Sequence, residues 1–397
     1  MKLKKVASKR GILVLKNMVL GILAYMISRI RKSKEIWLIA ERYNEARDNG
    51  YHLFRYIKEN KQTNKVFYII DKKAKDYVKI KKYDCVIQFG SFKHHIYYWR
   101  ASKLISTHIN GYEPNEKAYY YLNKILKNNA KKVFLQHGII KDRLPQLFAE
   151  STDLDLFVCG AKPEYEYINE KYGYNRGIVK YLGLCRFDNL YNKMKKQKKQ
   201  ILIMPTFRME YYIDKDEKLT KEKEERFLKS DFFNNYRALI TSERLIRVCR
   251  ENNIRIIFYP HYEMQKYIHL FKNISKEIII ADKESYDVQE LLISSNILVT
   301  DFSSVFFDFA YMEKPIIYFQ FDEVGYRKKH YKAGYFSYEK DGFGPVVNSK
   351  EKVEEELLKY IKRNFAVEEK YLERKKRFFE YNDNKNCERN YNAINML

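Results

Sequence analysis

Short apolar runs alternate with longer amphipathic segments along the first half of the chain, from residue 35 onward. Each run has the length and composition of a buried strand, and segments of helical length separate several of them. This alternation is typical of βαβ units in a mainly parallel sheet. The predicted strands are Ile36–Ala40, Val66–Ile70, Cys85–Phe89, Leu104–Ser106, Val133–Leu135, Leu156–Val158 and Val179–Gly183.

A second series follows a lysine-rich segment, Lys193–Lys199, which has the composition of a solvated linker. Helical stretches such as Phe232–Glu251 separate its strands. The sequence therefore predicts an α/β protein of two doubly wound domains, residues 35–195 and 200–365, that face a common cleft. A charged helical tail over residues 366–397 follows them. The strands predicted for the second domain are Ile201–Met204, Ile254–Tyr259, Ile278–Ala281, Ile297–Val299 and Ile316–Phe319.

The amino terminus departs from this pattern, because Gly11–Ile30 is nearly all apolar and has basic residues on both sides. No small-residue cleavage site follows the run, which disfavours a removable signal peptide. A bilayer-spanning helix needs about 20 apolar residues, and Lys16 interrupts this run. Residues 1–34 therefore predict a helix that lies in the membrane interface and contacts anionic headgroups. The alternative is a helix packed on the protein's own core.

Composition narrows the classes of function. The 397 residues include 76 Lys and Arg against 51 Asp and Glu, and the net charge of +25 favours phosphate-rich substrates, anionic lipid or nucleic acid. The charge is spread along the chain and no recognition module is visible, which disfavours a nucleic-acid-binding protein. The five cysteines are scattered without a CxxC pair, so we expect no disulfide framework, no zinc site and a reducing compartment.

Two histidines follow predicted strands, where a side chain can point into the cleft of such a fold. His137 precedes Gly138, and glycine allows close backbone approach. An imidazole titrates near neutral pH and can take a proton from a hydroxyl, so His137 is a candidate general base. His261 follows Pro260 and is a candidate proton donor or clamp on a leaving phosphate. The His137 ring could instead satisfy a loop hydrogen bond.

Candidate phosphate ligands also follow strands. Arg208 ends the segment Pro205-Thr-Phe-Arg, and its guanidinium suits a pyrophosphate. Ser303 and Ser304 are predicted to open a helix, because serine is a preferred N-cap. The unpaired N–H groups of a helix start, its dipole and the serine hydroxyls together favour phosphate. An ordinary capped helix is the plain alternative.

Several other chemistries are disfavoured. The chain has no Walker loop and no GxGxxG motif, which argues against a mononucleotide kinase and a dinucleotide oxidoreductase. No aspartate pair accompanies a set of histidine ligands, so we predict no metal and no other cofactor. The remaining histidines have no comparable context and are expected to be structural: His52, His94, His95, His108, His269 and His330.

A set of short motifs over residues 289–347 carries a family resemblance. In order these are Thr300-Asp-Phe-Ser-Ser304, Asp308-Phe-Ala310, Lys314-Pro315, Phe321-Asp322, Tyr326-Arg327, Gly334-Tyr-Phe336 and Gly344-Pro345. Together with Gln136-His-Gly138, the segment ending at Arg208, and His261, they resemble the CDP-glycerol glycerophosphotransferase family of teichoic acid primases and polymerases. The resemblance covers roughly residues 130–350.

The resemblance implies a GT-B-like fold and transfer of glycerol phosphate from CDP-glycerol to a hydroxyl of a lipid-linked saccharide or polymer, with release of CMP. It implies that His137 is the catalytic base and that His261 also acts in catalysis. Such an enzyme would work in teichoic acid or capsule biosynthesis as a peripheral protein on the cytoplasmic face of the cell membrane. The donor-phosphate ligands that it implies are Arg208, Ser303, Ser304, Thr300, Asp301 and Arg327.

Alternatives to this donor and reaction stay open. His137 is followed by Gly-Ile-Ile, where the polymerases have Gly-Thr-Pro, and their long amino-terminal domain has no counterpart in the sequence. These departures bear on the acceptor and on the transferred group, so CDP-ribitol is an alternative donor. A capsule glycosyltransferase with a nucleotide-sugar donor would share the fold and the cleft.

Overall fold

The structure of the protein, a computed structural model, describes residues 2–30, 35–61, 65–194, 198–214, 217–272, 275–329 and 331–397. Its strands, in chain order, are β1 (Trp37–Ala40), β2 (Val66–Ile70), β3 (Val86–Gln88), β4 (Lys103–Ser106), β5 (Lys131–Phe134), β6 (Asp142–Arg143), β7 (Leu156–Cys159), β8 (Val179–Tyr181), β9 (Gln200–Ile203), β10 (Arg255–Phe258), β11 (Ile278–Ile280), β12 (Ile297–Thr300), β13 (Ile316–Phe319), β14 (Lys332–Ala333) and β15 (Val346–Val347).

The α-helices lie mainly between these strands, and 3-10 segments of three to ten residues complete several connections. The helices are α1 (Lys2–Ile30), α2 (Asn49–Asn60), α3 (Tyr77–Ile80), α4 (Phe92–Arg100), α5 (Glu116–Ile125), α6 (Lys162–Lys171), α7 (Phe187–Lys193), α8 (Lys221–Leu228), α9 (Asp231–Ile240), α10 (Glu243–Glu251), α11 (Val288–Ser294), α12 (Phe306–Tyr311), α13 (Glu323–Lys329), α14 (Tyr338–Asp341), α15 (Lys350–Lys362), α16 (Glu369–Phe378) and α17 (Asn386–Asn395).

Two parallel sheets form the framework. Among the described residues, the first has the strand order β3-β2-β1-β4-β5-β7-β8 and the second the order β11-β10-β9-β12-β13-β15. All neighbouring strands within each sheet are parallel. The strand order reverses beside β1 in the first sheet and beside β9 in the second, and ligands bind at the carboxyl ends of strands near such reversals. The predicted fold of two doubly wound, Rossmann-like domains is confirmed.

The strands form where apolar residues, many of them β-branched, are buried on both faces of a sheet. Every strand that the sequence predicts is present, with ends that differ by at most two residues. One helical prediction is wrong in detail: the stretch Phe232–Glu251 contains two helices, because α9 ends at Ile240 and Ser242 caps α10. The Ser242 hydroxyl accepts a hydrogen bond from the Leu245 N–H at 3.2 Å.

The predicted linker, Lys193–Lys199, lies partly outside the described residues, and two other connections join the domains. The helix α17 returns to the first domain and packs against α2 and α7, burying Cys387 and Ile394. In addition, β14 of the second domain pairs antiparallel with β6 of the first. Gly334 follows this ribbon, and a Cβ there would collide with the Lys141 carbonyl, so only glycine fits. These crossings fix the relative position of the two cleft walls.

The helix α1 lies against α4 and α5 along one side. The Trp99 indole donates to the Gly21 carbonyl at 3.0 Å, and a Cβ on Gly21 would collide with Leu122. By length and composition the segment Arg10–Ile30 could cross a membrane, and little of it is buried. The predicted flanking cations Arg31, Lys32 and Lys34 lie outside the described residues. A stripe of large apolar side chains stays exposed on α1: Ile12, Leu15, Val19, Ile22 and Met26.

Candidate active site

A cleft of about 620 Å³ opens between the domains at the carboxyl ends of the strands. The first domain contributes His137 and the second contributes His261, Ser303 and Ser304, so the structure brings these four predicted residues together. A second hollow, of about 830 Å³, lies at the amino ends of β9 and β10 and holds none of the predicted side chains. The inter-domain cleft is therefore the candidate active site.

The backbone before His137 has an unusual conformation. Gln136 has φ of +60°, in the left-handed region that side chains rarely adopt, and such a residue costs roughly 1–3 kcal/mol. Surrounding groups hold it there. The Asn49 amide donates to the Gln136 carbonyl at 2.8 Å, and the Gln136 side chain donates to the Val158 carbonyl. Backbone strain held in this way turns the next side chain, His137, into the cleft.

A buried carboxylate supports the far side of the same loop. Glu164 accepts hydrogen bonds from the Ile140 N–H at 2.5 Å and from the Gly160 N–H at 2.6 Å. Burial raises the pKa of Glu164 to about 7, although these N–H donors favour its charged form. Glu164 thus joins the His137 loop to the turn after β7.

The His137 ring is oriented by the residues after β4. Its Nδ1 lies 3.2 Å from the Thr107 carbonyl oxygen, and a carbonyl can only accept, so Nδ1 carries the proton. The other ring nitrogen, Nε2, then has the lone pair that a general base needs. The His108 ring stacks on His137, with centroids 4.7 Å apart and planes 3° apart.

Electrostatics keep the His137 ring neutral. The ring is exposed to the open cleft, but surrounding protein atoms desolvate it and lower its pKa below the ordinary histidine value. The Asp48 carboxylate opposes this shift, whereas the charges of Arg42 and Arg186 add to it. Burial also lowers the pKa of His108 to about 3, so the stacked neighbour is neutral as well. A neutral imidazole is the form that accepts a proton.

His261 has the complementary arrangement on the opposite wall. Its Nδ1 accepts a hydrogen bond from the Glu263 N–H at 3.3 Å, so in the neutral ring Nε2 carries the proton. The ring stacks on Phe207, with centroids 4.9 Å apart. One wall of the cleft therefore has an imidazole set to accept a proton, and the other has an imidazole set to donate a hydrogen bond.

The predicted helix start at Ser303 and Ser304 is wrong. The helix α12 begins at Phe306, has six residues and has Val305 at its N-cap position without a side-chain cap. The chain enters it through a turn in which the Ser303 hydroxyl accepts from the Val305 N–H at 3.4 Å. The serines instead face the first domain: a Cβ on Gly138 would lie 3.3 Å from the Ser304 hydroxyl. Their hydroxyls line the cleft without the help of a long helix dipole.

Three of the implied phosphate ligands, Arg208, Asp301 and Thr300, have polar groups that are paired inside the second domain. Arg208 is buried; its guanidinium lies 2.9 Å from Asp301 and donates to both oxygens of Asp322, at 2.8 and 3.0 Å. Asp301 also accepts from the Thr206 N–H at 2.8 Å, and Thr300 donates to the Met204 carbonyl at 2.7 Å. These contacts hold the loop after β9 against the end of β12.

Arg327 is also paired in the structure. Its guanidinium donates to Asp142 at 2.6 Å, and Lys141 forms an ion pair with the same carboxylate. This contact links α13 to β6, beside the ribbon that joins the domains. The predicted role of Arg327 in binding donor phosphate would require it to leave Asp142.

Sequence reasoning missed a buried ion cluster between the domains. Arg186, after β8, donates to both oxygens of Asp308 on α12, at 2.6 and 2.8 Å, and to Asp48 at 2.8 Å. Its backbone N–H donates to Asn49, the residue that holds the Gln136 carbonyl. The two carboxylates hold the pKa of Arg186 above its ordinary value despite burial. The cluster connects the His137 loop to the second domain.

Two further cleft residues, His108 and Arg42, were also missed. His108 was expected to be structural, yet it lines the cleft beside His137. Each of them lies two positions after a predicted strand, as His137 does. The reasoning that selected His137, a polar residue just after a strand, could therefore have selected them. Within the ranges that the structure describes, no group of three or more His, Cys, Asp or Glu side chains is arranged to hold a metal ion.

Two doubly wound domains around a cleft at the carboxyl ends of their strands define the GT-B class of fold. The solved structure of the wall teichoic acid polymerase TagF has this fold, with a TM-score of 0.67 and 17% identity over 99% of this chain and 96% of that one. The model of the family CDP-glycerol:poly(glycerophosphate) glycerophosphotransferase matches residues 22–396, and the chain belongs to this family.

Curated relatives share part of their length with the chain. The minor teichoic acid biosynthesis protein GgaB of Bacillus subtilis is 37% identical over 392 residues, which are 98% of this chain and 42% of GgaB. The teichoic acid ribitol-phosphate polymerase TarL of Staphylococcus aureus is 28% identical over 131 residues, 33% of this chain and 20% of TarL. The chain thus spans less than half of the length of GgaB.

Proposed function

We propose that this protein transfers glycerol phosphate from CDP-glycerol to a hydroxyl of a lipid-linked teichoic acid or related polymer and releases CMP. The observation that carries the proposal is the opposed pair of imidazoles, His137 and His261, across the cleft of a chain that belongs to the glycerophosphotransferase family. One ring can accept the proton of the attacking hydroxyl, and the other can donate to a phosphate oxygen.

In the proposed reaction the acceptor hydroxyl attacks the β-phosphorus of the donor while His137 Nε2 takes its proton. A new oxygen–phosphorus bond forms, and the bond from the β-phosphorus to the bridging oxygen breaks, so that CMP leaves with that oxygen. His261 and the hydroxyls of Ser303 and Ser304 would stabilise the phosphate oxygens by hydrogen bonds. A positioned base of this kind supplies roughly 100- to 10,000-fold of rate.

CDP-ribitol is the second candidate donor, because the ribitol-phosphate polymerase TarL is among the relatives. To distinguish the donors, purified protein is incubated with a lipid-linked acceptor and, in separate reactions, with CDP-glycerol, CDP-ribitol or a UDP-sugar. We expect CMP release with CDP-glycerol. Release of CMP from CDP-ribitol alone would favour the second donor, and release of UDP from the sugar nucleotide alone would contradict both.

We also propose that α1 binds the cytoplasmic face of the membrane as a peripheral element. The exposed stripe repeats at three- and four-residue spacing, so its side chains share one face of the helix. Two exposed tyrosines of the neighbouring α5, Tyr120 and Tyr121, have the amphipathic character favoured at a membrane interface. An acceptor that is anchored in lipid would then be held near the cleft.

The double substitution of Ile12 and Leu15 by glutamate is expected to abolish binding to anionic vesicles in a sedimentation assay, because it places two charges on the inserted face. Val78→Glu, which changes an exposed valine outside α1, should leave binding intact. Removing α1 altogether is a poorer test, because it would expose Trp99 and Leu122, which contact α1, to solvent. Wild-type protein that stays in the supernatant with anionic vesicles at low salt would refute the proposal.

A further inference from the structure

The cations around the cleft are unequally neutralised. Arg208 is bound by Asp301 and Asp322, and a single carboxylate, Asp142, accepts contacts from both Arg327 and Lys141. A CDP-linked donor carries two phosphates, which require charge-assisted hydrogen-bond donors. The two arginines expected to supply them from the second domain, Arg208 and Arg327, are paired with carboxylates of the protein.

Arg42 differs from these residues. It follows β1 at the carboxyl end of the first sheet, and its side chain is about one-third exposed. Its closest described carboxylate oxygen, on Glu45, is 3.7 Å away, too far for a strong hydrogen bond. Its guanidinium instead contacts a neutral group of the other domain: it donates to the Tyr262 hydroxyl at 2.6 Å and lies 4.4 Å from the centroid of that ring.

Arg42 lines the same cleft as the two imidazoles. Tyr262 is the neighbour of His261 in the chain, and both line the cleft with Arg42. On the other side the Arg42 charge acts on His137 and His108. A phosphate beside His261 would therefore be within reach of this guanidinium with a small movement of one flexible side chain.

We propose that Arg42 binds the phosphates of the nucleotide donor, so that the donor is held by both domains. This inference rests on the proposed function. A phosphate oxygen is a stronger partner for a guanidinium than a phenol, because both groups are charged. Donor binding would thus replace the contact to the Tyr262 hydroxyl. Arg42 would also face the negative charge that develops on the departing CMP.

The test compares Arg42→Met, Arg42→Lys and a control, Arg55→Met, which removes the same charge from a similarly exposed side chain on α2, outside the cleft lining. Calorimetry with CDP-glycerol and with CDP-ribitol measures donor affinity without turnover. We expect Arg42→Met to weaken binding of the accepted donor by roughly 10- to 100-fold. Arg42→Lys should weaken it less, since it keeps the charge and loses the bidentate geometry. Arg55→Met should bind like the wild type.

The outcomes separate the two proposals. If the wild type binds neither donor, the proposed function fails and the inference fails with it. If the wild type binds a donor and Arg42→Met binds it within about two-fold, the inference alone is overturned. Thermal unfolding of each variant identifies a loss of binding that comes from misfolding, and in that case Arg42→Lys decides: wild-type affinity there would overturn bidentate phosphate binding by Arg42.

Discussion

Replacement of His137 by alanine is expected to lower turnover by roughly 100-fold or more, with little change in donor affinity. The ring faces the cleft with Nδ1 fixed by the Thr107 carbonyl, so that Nε2 can take the proton of the acceptor hydroxyl. The groups that are proposed to bind the donor phosphates are other residues of the cleft, which the substitution leaves unchanged. Turnover of CDP-glycerol and calorimetric donor binding measure the two effects separately.

His108→Phe is the matched control, since it keeps a flat ring stacked on His137 and removes the His108 nitrogens together with their contact to the Thr107 hydroxyl, while the Thr107 carbonyl that orients His137 stays. It should retain most of the activity.

The pH profile of turnover adds a second readout. Activity should fall as pH drops through the His137 pKa, because the protonated ring cannot accept a proton, and this fall should lie below the ordinary histidine value. Near-normal turnover of His137→Ala would show that the base lies elsewhere.

Replacement of Arg186 by methionine is expected to lower the free energy of unfolding by about 3–5 kcal/mol. Arg186 is buried and forms ion pairs with Asp308 and Asp48, and its removal leaves two carboxylates without a counter-charge. The effect is large because the cluster joins the two domains at the His137 loop. Denaturant unfolding of wild type and variant gives the difference.

Two variants test whether the buried charge is the cause. Lys193→Met removes an inter-domain ion pair to Glu290 that lies on the surface, and it should cost little, because exposed pairs contribute little. Asp308→Asn added to Arg186→Met should recover part of the lost stability, since it removes one of the unpaired charges. If Arg186→Met costs no more than Lys193→Met, the cluster does not stabilise the domain interface.

Most of the framework could be predicted from the sequence because central parallel strands are buried on both faces and form unbroken apolar runs. β6, β14 and β15 were missed because two-residue strands leave no such run. The division of Phe232–Glu251 into two helices depends on one serine cap within a pattern that otherwise continues.

The sequence predicted those site residues whose place in the cleft depends only on their position after a strand. It did not predict the residues whose role depends on pairing with distant parts of the chain. His137 and His261 follow strands and line the cleft. Arg208 also follows a strand, but it is neutralised by Asp301 and Asp322, which lie far along the chain. No local pattern reveals that pairing. The same limit hid the contact of Arg186 with Asp308, which forms only when the two domains come together.

The fate of the β-phosphorus distinguishes glycerol-phosphate transfer from the alternatives most directly. The protein is incubated with a lipid-linked acceptor and CDP-glycerol that carries radioactive phosphorus at the β position. We predict that the label enters the lipid-linked product in a phosphodiester with glycerol and that the released CMP is unlabelled. Label that stays in a released CDP, or that appears only as free glycerol phosphate, would contradict transfer of glycerol phosphate to the acceptor.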